Sequence, residues 1–323
     1  MTIVAVRDVL EEIAANAAAL DAQPAFPHAA FAALREAGAL APPPTHQEEW
    51  GLVREVAKAD GSVGRIFEGH LNGYERLKLD GIDPEDHLLG VWGADPAPGE
   101  GEPASVEGDR ITGVKTFCSG AGGLDRALVI ARGQLVYVDL QDDVEIDRSW
   151  YRAGGMRASE SHRVIFHGAK VIAALSPLTR EPYLSGDAIR TAASWAGILD
   201  SAIDGALEDL AAKPETDDLR ALGAGRVLTA QATIDRWFEH AAKNGPDKAV
   251  SIQLRATIAQ AGATIIQEAA NATGSRPFAT GTALDRARRD FELFVLQHRL
   301  DPLVARLGRE RIEQIRERVV REP

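Results

Sequence analysis

The chain has 323 residues, 45% hydrophobic and 26% charged, the profile of a soluble globular protein of roughly two domains at about 150 residues each. Its 36 basic and 48 acidic side chains give a formal charge of −12, which argues against a general binder of nucleic acid or anionic membrane, because phosphate affinity needs a positive field. A single cysteine, Cys118, excludes an intrachain disulfide or a cysteine metal cluster, and no run of about 18 apolar residues is present to span a bilayer.

Ile3, Val6, Leu10, Ile13, Ala17 and Leu20 recur at steps of three and four and predict a first helix. Asp8, Glu11 and Glu12 stand where a signal peptide would be basic and then apolar, so the expected compartment is the cytoplasm. Pro24 and Pro27 interrupt the pattern. Further helices are expected at about 28–37, 47–59 and 65–79. The Pro/Gly-rich stretch 94–103 then changes the period. ALVIAR (127–132), QLVYVDL (134–140), HRVIFH (162–167) and AKVIA (169–173) read as short strands of an antiparallel module. Helical periodicity returns at about 187–212, 217–243, 247–272 and 283–299, with a last Arg/Glu-rich helix at 302–320. Long helices with short connections imply an up-down bundle.

The predicted organisation is a helical domain at 1–90, a β domain at 91–180 and a helical bundle at 181–323. Strands and helices do not alternate, and neither G-x-G-x-x-G nor G-x-x-x-x-G-K-[ST] is present, which disfavours the doubly wound nucleotide folds. The eight histidines show no H-E-x-x-H and no i, i+4 pair, so no catalytic metal is expected. His70, Asn72 and Tyr74 could face a substrate, though a helix-end role accounts for them more simply. Cys118 has no neighbour in sequence that would lower its pKa.

Four collinear segments carry a resemblance. They are FPHAAFAALREAGAL (26–40), ITGVKTFCSGAGGLDRALVIAR (111–132), GMRASESHRVIFHGAKV (155–171) and ATGSRPFATGTALDRARRD (272–290). In this order they resemble the acyl-CoA dehydrogenase superfamily, over most of the chain. The resemblance implies a mainly α fold with a central β domain and a C-terminal four-helix bundle. It also implies FAD, with FMN as the other possibility, a small-molecule substrate, and a homodimer or homotetramer that shares its flavin sites between subunits.

Carried over residue by residue, the resemblance places Phe117, Cys118 and Ser119 beside the flavin ring. Arg157 and Ser159 fall in a turn near it. Gly274 and Arg276 fall in a loop that approaches the cofactor diphosphate. Extended alternation sends Phe117 and Ser119 to one face and Cys118 to the other. Arg286, Arg288 and Arg289 either add positive charge there or form a solvated face with Asp285 and Asp290.

The chain departs from the family at its catalytic base. Family members place a Glu eight residues after an Arg-Asp pair; here the count from Asp290 reaches His298. His298 shares a helical stripe with Leu284, Phe291 and Phe294, and a neutral imidazole acts as a base near pH 7. Two enzyme readings follow. The first is oxidation of an acyl-CoA or similar small substrate, with His298 or a carboxylate such as Glu292 as base. The second resembles the two-component flavin monooxygenases of the same fold, in which a His assists the oxygen chemistry or deprotonates a phenol. Weak phosphate motifs around Arg220 and Arg226, and in the 94–103 loop, leave a third: a non-catalytic scaffold that has lost the flavin.

Overall fold

Capping decides where the first helices begin. The computed structural model describes residues 6–297 and 299–321. After α1 (Arg7–Ala22) and α2 (His28–Glu36), α3 (His46–Ala59) opens on a Thr45 cap. Thr45 Oγ1 accepts from the Glu48 amide at 3.3 Å, and the Thr45 hydroxyl donates to Glu48 Oε2 at 2.7 Å. Asp60 then ends α3 and caps α4 (Gly61–Leu79), accepting from the Val63 amide at 2.9 Å. One aspartate thus serves two helices, and α4 begins four residues before its predicted start.

The strands are β1 (Leu89–Trp92), β2 (Ser105–Glu107), β3 (Arg110–Cys118), β4 (Arg126–Ala131), β5 (Gln134–Asp139), β6 (Val144–Asp147) and β7 (His162–Leu175). Their order is β1-β4-β5-β7-β3-β2, with β6 also paired to β7. Two predicted strands are one. β7 runs through Gly168 at φ +101°, where the β3 pairing skips from Ala169 to His167. A bulge there keeps the ladder going while interrupting the alternation. The sheet is also not purely antiparallel, since β1 pairs with β4 in parallel.

The chain then forms α5 (Tyr183–Ala211), α6 (Asp218–Asn244), α7 (Lys248–Thr273), the single turn α8 (Arg276–Ala279), α9 (Ala283–Phe294) and α10 (Asp301–Arg321). Asp217 and Asp247 cap α6 and α7 by accepting amide hydrogen bonds. Gly245 and Gly274 close the same helices at positive φ, as glycine does at helix ends. α9 stops at Phe294 and passes into a 3-10 turn at Val295–Gln297, shorter than its predicted range.

A single apolar cluster joins all three regions, with Val53 and Phe67 from the first helices, Trp92, Val136 and Phe166 from the sheet, and Trp195, Leu254 and Phe291 from the last helices. The helices approach closely: a Cβ on Gly197 of α5 would meet the Arg54 carbonyl oxygen of α3 at 2.1 Å. The order helices, sheet, helical bundle is the one the sequence implies. Among the described residues, no helix is long and apolar enough to cross a membrane.

Candidate functional site

β3 carries the first candidates out of regular pairing. Its register with β7 shifts between Lys115 and Cys118, and Phe117 takes φ +52°. The Phe117 ring is 55% exposed, Cys118 is fully buried and Ser119 is half-buried. This is the expected in-and-out pattern, reached through a bulge instead of simple extension. Burial pushes the Cys118 thiol well above its usual range, so it stays protonated. Phe117 meets the Trp150 ring edge-on at 4.9 Å between centroids. Trp150 is in turn held by donating its Nε1–H to Glu100 Oε1 at 3.0 Å. An aromatic face left this open is a ready platform for a planar ligand.

The neighbouring turn is built from strained backbone. Met156 (φ +52°) and Glu160 (φ +47°) flank the 3-10 turn Arg157–Ser159, and both are left-handed without being glycine. Ser159 Oγ donates to the Met156 carbonyl at 2.7 Å. It also lies 2.8 Å from Ser161 Oγ, which lies 2.9 Å from Ser119 Oγ. Each hydroxyl has one proton. With the Ser159 proton spent on Met156, Ser161 donates to Ser159 and Ser119 donates to Ser161. The chain therefore ends on Ser119 with its lone pairs available as an acceptor.

Several side chains around this chain lack partners. The half-buried Arg157 guanidinium makes no hydrogen bond or ion pair among the described residues. His162, paired with Cys118 in the sheet, is buried; its Nε2 lies 3.1 Å from Glu160 Oε2, while its Nδ1 has no partner. Burial lifts the Glu160 carboxyl, but His162 and Arg148 outweigh it and leave the pKa below the ordinary value.

α9 fixes the turn from below. The Met156 amide donates to Asp290 Oδ1 at 2.5 Å. Gly155 packs on the α9 backbone so tightly that a Cβ would stand 2.0 Å from the Arg289 carbonyl oxygen. Arg289 donates to the Gly154 carbonyl and pairs with Asp21 and Asp285. Burial, reinforced by the nearby Asp60 carboxylate, pushes Asp290 up to about 7.

A buried polar cluster lies beside the turn, between α4, α5 and α7. Arg65 pairs with Glu68 and rests over the Phe294 ring, 5.3 Å from its centroid. Burial pushes the Glu68 carboxyl up to about 7, against the pull of Arg65. Asp187 feels Arg65, Arg190 and Arg255, yet burial still raises its pKa. Tyr151 connects the two regions: its hydroxyl donates to the Gly155 carbonyl at 3.1 Å, and the charge of Arg65 acts on it. Below this, Arg190 is fully paired, with Glu49 at 2.5 Å, Glu75 at 2.6 Å and the Asn72 side-chain Oδ1 at 2.9 Å.

The remaining sequence candidates separate. The structure brings Phe117, Cys118, Ser119, Arg157 and Ser159 together. Gly274 and Arg276 lie exposed at the α7–α8 connection, with no hydrogen bond to that group. His298 lies outside the described residues. Glu292 is exposed and bonded to Arg288 at 3.0 Å, so it does not point into the core. Arg288 and Arg289 are satisfied by Asp285, and Arg220 and Arg226 by Asp217 and Glu268. His70 is structural: Nε2–H donates to the Leu40 carbonyl at 2.8 Å and Nδ1 accepts from the Leu89 amide at 3.2 Å. Two clefts, of about 420 Å³ between α1 and α2 and about 540 Å³ beside Pro42–Pro44, are lined by none of the predicted flavin-site residues; Tyr74 borders the second. Among the described residues no cluster of ligating side chains could hold a metal ion.

The residues present fit a flavin: an uncovered aromatic face, a hydroxyl acceptor beside it and an unpaired guanidinium in the same turn. Sequence reasoning missed Trp150, Tyr151, Arg65, Glu68, Asp187, Arg255 and the role of Asp290. The visible signal was Arg65 and Glu68, charges three residues apart within the apolar pattern of α4.

No family model matches the chain. The dibenzothiophene monooxygenase of Rhodococcus erythropolis is 30% identical over 148 residues, which is 37% of this chain and 35% of that protein. The match thus spans about a third of the relative's length. Among solved structures, the FMN-bound dibenzothiophene monooxygenase of Paenibacillus sp. A11-2 superposes with a TM-score of 0.77 at 17% identity, covering 94% of this chain and 95% of that one. The methanesulfinate monooxygenase of Pseudomonas fluorescens superposes with a TM-score of 0.77 at 20% identity, covering 96% of each chain. The fold is acyl-CoA dehydrogenase-like, in agreement with the resemblance seen in the sequence.

Proposed function

We propose that the chain is the oxygenase of a two-component flavin monooxygenase, receiving reduced flavin, FMN in preference to FAD, from a separate reductase. Of the two enzyme readings the sequence left open, acyl-CoA oxidation gives way to its alternative. The position of the family's Glu holds His298, Glu292 is turned to solvent, and the similar proteins are monooxygenases. FMN is favoured because a structural neighbour binds it.

The observation that carries the reading is the hydroxyl chain that ends at Ser119 beside the open Phe117 ring. Reduced flavin supplies two electrons, so that one atom of O₂ enters the substrate and the other leaves as water. The protein's part is positional. Phe117 offers a face to the ring. Ser119, as an acceptor, suits the N–H that reduced flavin carries at N5 and oxidised flavin lacks. The backbone at Cys118 borders the same edge, and Ser159 orders the hydroxyl chain. Arg157 would neutralise an anionic part of the cofactor, and Gly274 and Arg276 would meet its phosphate in an assembled homodimer or homotetramer. His298 would take or give the proton of the oxygenation step.

Anaerobic titration of the purified chain with FMN before and after reduction tests this. Tighter binding of the reduced form, weakened in Ser119→Ala, is the expected result. A chain that takes up neither form is the scaffold of the third reading.

A further inference from the structure

The buried cluster between α4, α5 and α7 bears on the substrate, and this inference rests on the oxygenase reading. Arg255 of α7 is only 7% exposed. Among the described residues its guanidinium makes no hydrogen bond and no ion pair, and its Nε is closed off from solvent with no acceptor. Burial lowers its pKa, opposed by Asp187 alone. An unpaired buried cation is a costly arrangement for a purely structural residue.

A second orphan lies in the same cluster. Glu68 is completely buried; one carboxyl oxygen is held by Arg65, and the other, Oε2, has no partner in hydrogen-bonding geometry, although the Thr191 hydroxyl is near enough to pull the carboxyl pKa down. The charge of Asp187 acts on both orphans. The nearby wall is apolar: Phe294 lies under Arg65 and meets the Trp195 ring edge-on at 6.1 Å. By contrast, Arg190 one turn along α5 has every strong partner it needs.

We propose that Arg255 anchors the substrate, and that the substrate is an organic oxoanion, a carboxylate or sulfinate on an apolar body, with the Glu68 carboxyl as its second polar contact. The oxoanion supplies the acceptors that the guanidinium lacks. Glu68, raised by burial to about 7, carries a proton in much of the population at neutral pH and donates it in a hydrogen bond to the second oxygen. The apolar body lies toward Phe294.

Isothermal titration of the flavin-free protein with benzenesulfinate and with benzoate, against neutral thioanisole, tests the anchor. The oxoanions are expected to bind, to lose about 30-fold or more in affinity in Arg255→Met, and to recover part of it in Arg255→Lys. Thioanisole affinity is expected to change less than about twofold. Ligand-free Arg255→Met is expected to melt no lower than the parent, because it removes an unpaired buried charge. Failure of both oxoanions to bind the parent, or retention of their affinity in Arg255→Met, overturns the proposal. So does a sharp fall in melting temperature in Arg255→Met that Arg255→Lys repairs, since that marks a structural cation. Titration of the same proteins with reduced FMN reports separately on the oxygenase reading.

Discussion

Met156 and Asp290, 134 positions apart, are joined by a 2.5 Å hydrogen bond from the Met156 amide to the Asp290 carboxylate. The bond ties the left-handed entry of the 157–159 turn to α9. Asp290→Ala leaves that amide buried without an acceptor and is expected to cost about 1–3 kcal/mol. Urea unfolding checks the cost. Faster amide exchange confined to residues 154–161 would show that the loss is local.

Asp290 also makes stability depend on pH. Burial raises its pKa from the ordinary carboxylate value to about 7, so the folded state holds this proton more tightly than the unfolded chain. The resulting stabilisation is complete below the unfolded value near 4 and is lost as the pH rises to about 7. Asp290→Asn keeps an acceptor and cannot ionise. Its stability relative to the parent should therefore climb between pH 4 and 7 and then level off. Unfolding curves across that range decide it.

His70 acts with the opposite sign. Burial lowers its pKa to about 4, so its contribution is whole above about 6.5 and disappears as the pH falls toward 4. NMR of the imidazole should show no protonation of His70 at pH 5.5, about one unit below the ordinary histidine value.

Phe117 separates function from folding. Its ring is more than half exposed, so Phe117→Ala should shift stability by no more than about 0.5 kcal/mol. If the ring is a flavin platform, the same change should weaken reduced FMN binding by up to about tenfold. Melting curves and flavin titration on one preparation give both numbers.

Two glycines mark where backbones touch. A methyl on Gly197 would collide with the Arg54 carbonyl, and one on Gly155 with that of Arg289. Neither obstacle is a flexible side chain, so Gly197→Ala and Gly155→Ala should each cost well over 1 kcal/mol. Gly197→Ala is expected to loosen the α3–α5 contact. Gly155→Ala is expected to displace the turn and, if the turn borders a flavin as proposed, to weaken FMN binding. A Gly155→Ala protein with parental melting temperature and FMN affinity would show that the turn is not held by this contact.

The sequence made the element order legible because helical and strand periodicities differ and because Pro and Gly punctuate them. It blurred β7, where the Gly168 bulge interrupts alternation, and it gave no hint of the parallel β1–β4 pair, which depends on a long connection. Phe117, Ser119, Arg157 and Ser159 were readable as a group because they lie in short, recognisable segments. The cluster of Arg65, Glu68, Asp187 and Arg255 was not, because it forms only when three helices far apart in sequence meet. Nor could spacing alone show that Arg288 and Arg289 are already satisfied by Asp285.

Lys115, which the resemblance sets two positions before Phe117, is fully buried, and its ammonium donates to the Gly93 and Ile130 carbonyls and to Asp95, each at 2.8 Å. All three of its protons are committed, so the folded chain shields this amine from acylating reagents. Mass-spectrometric labelling at Lys115 would therefore count only those molecules whose sheet has opened, making the residue a native clock for the loss of the platform that Phe117 and Ser119 stand on.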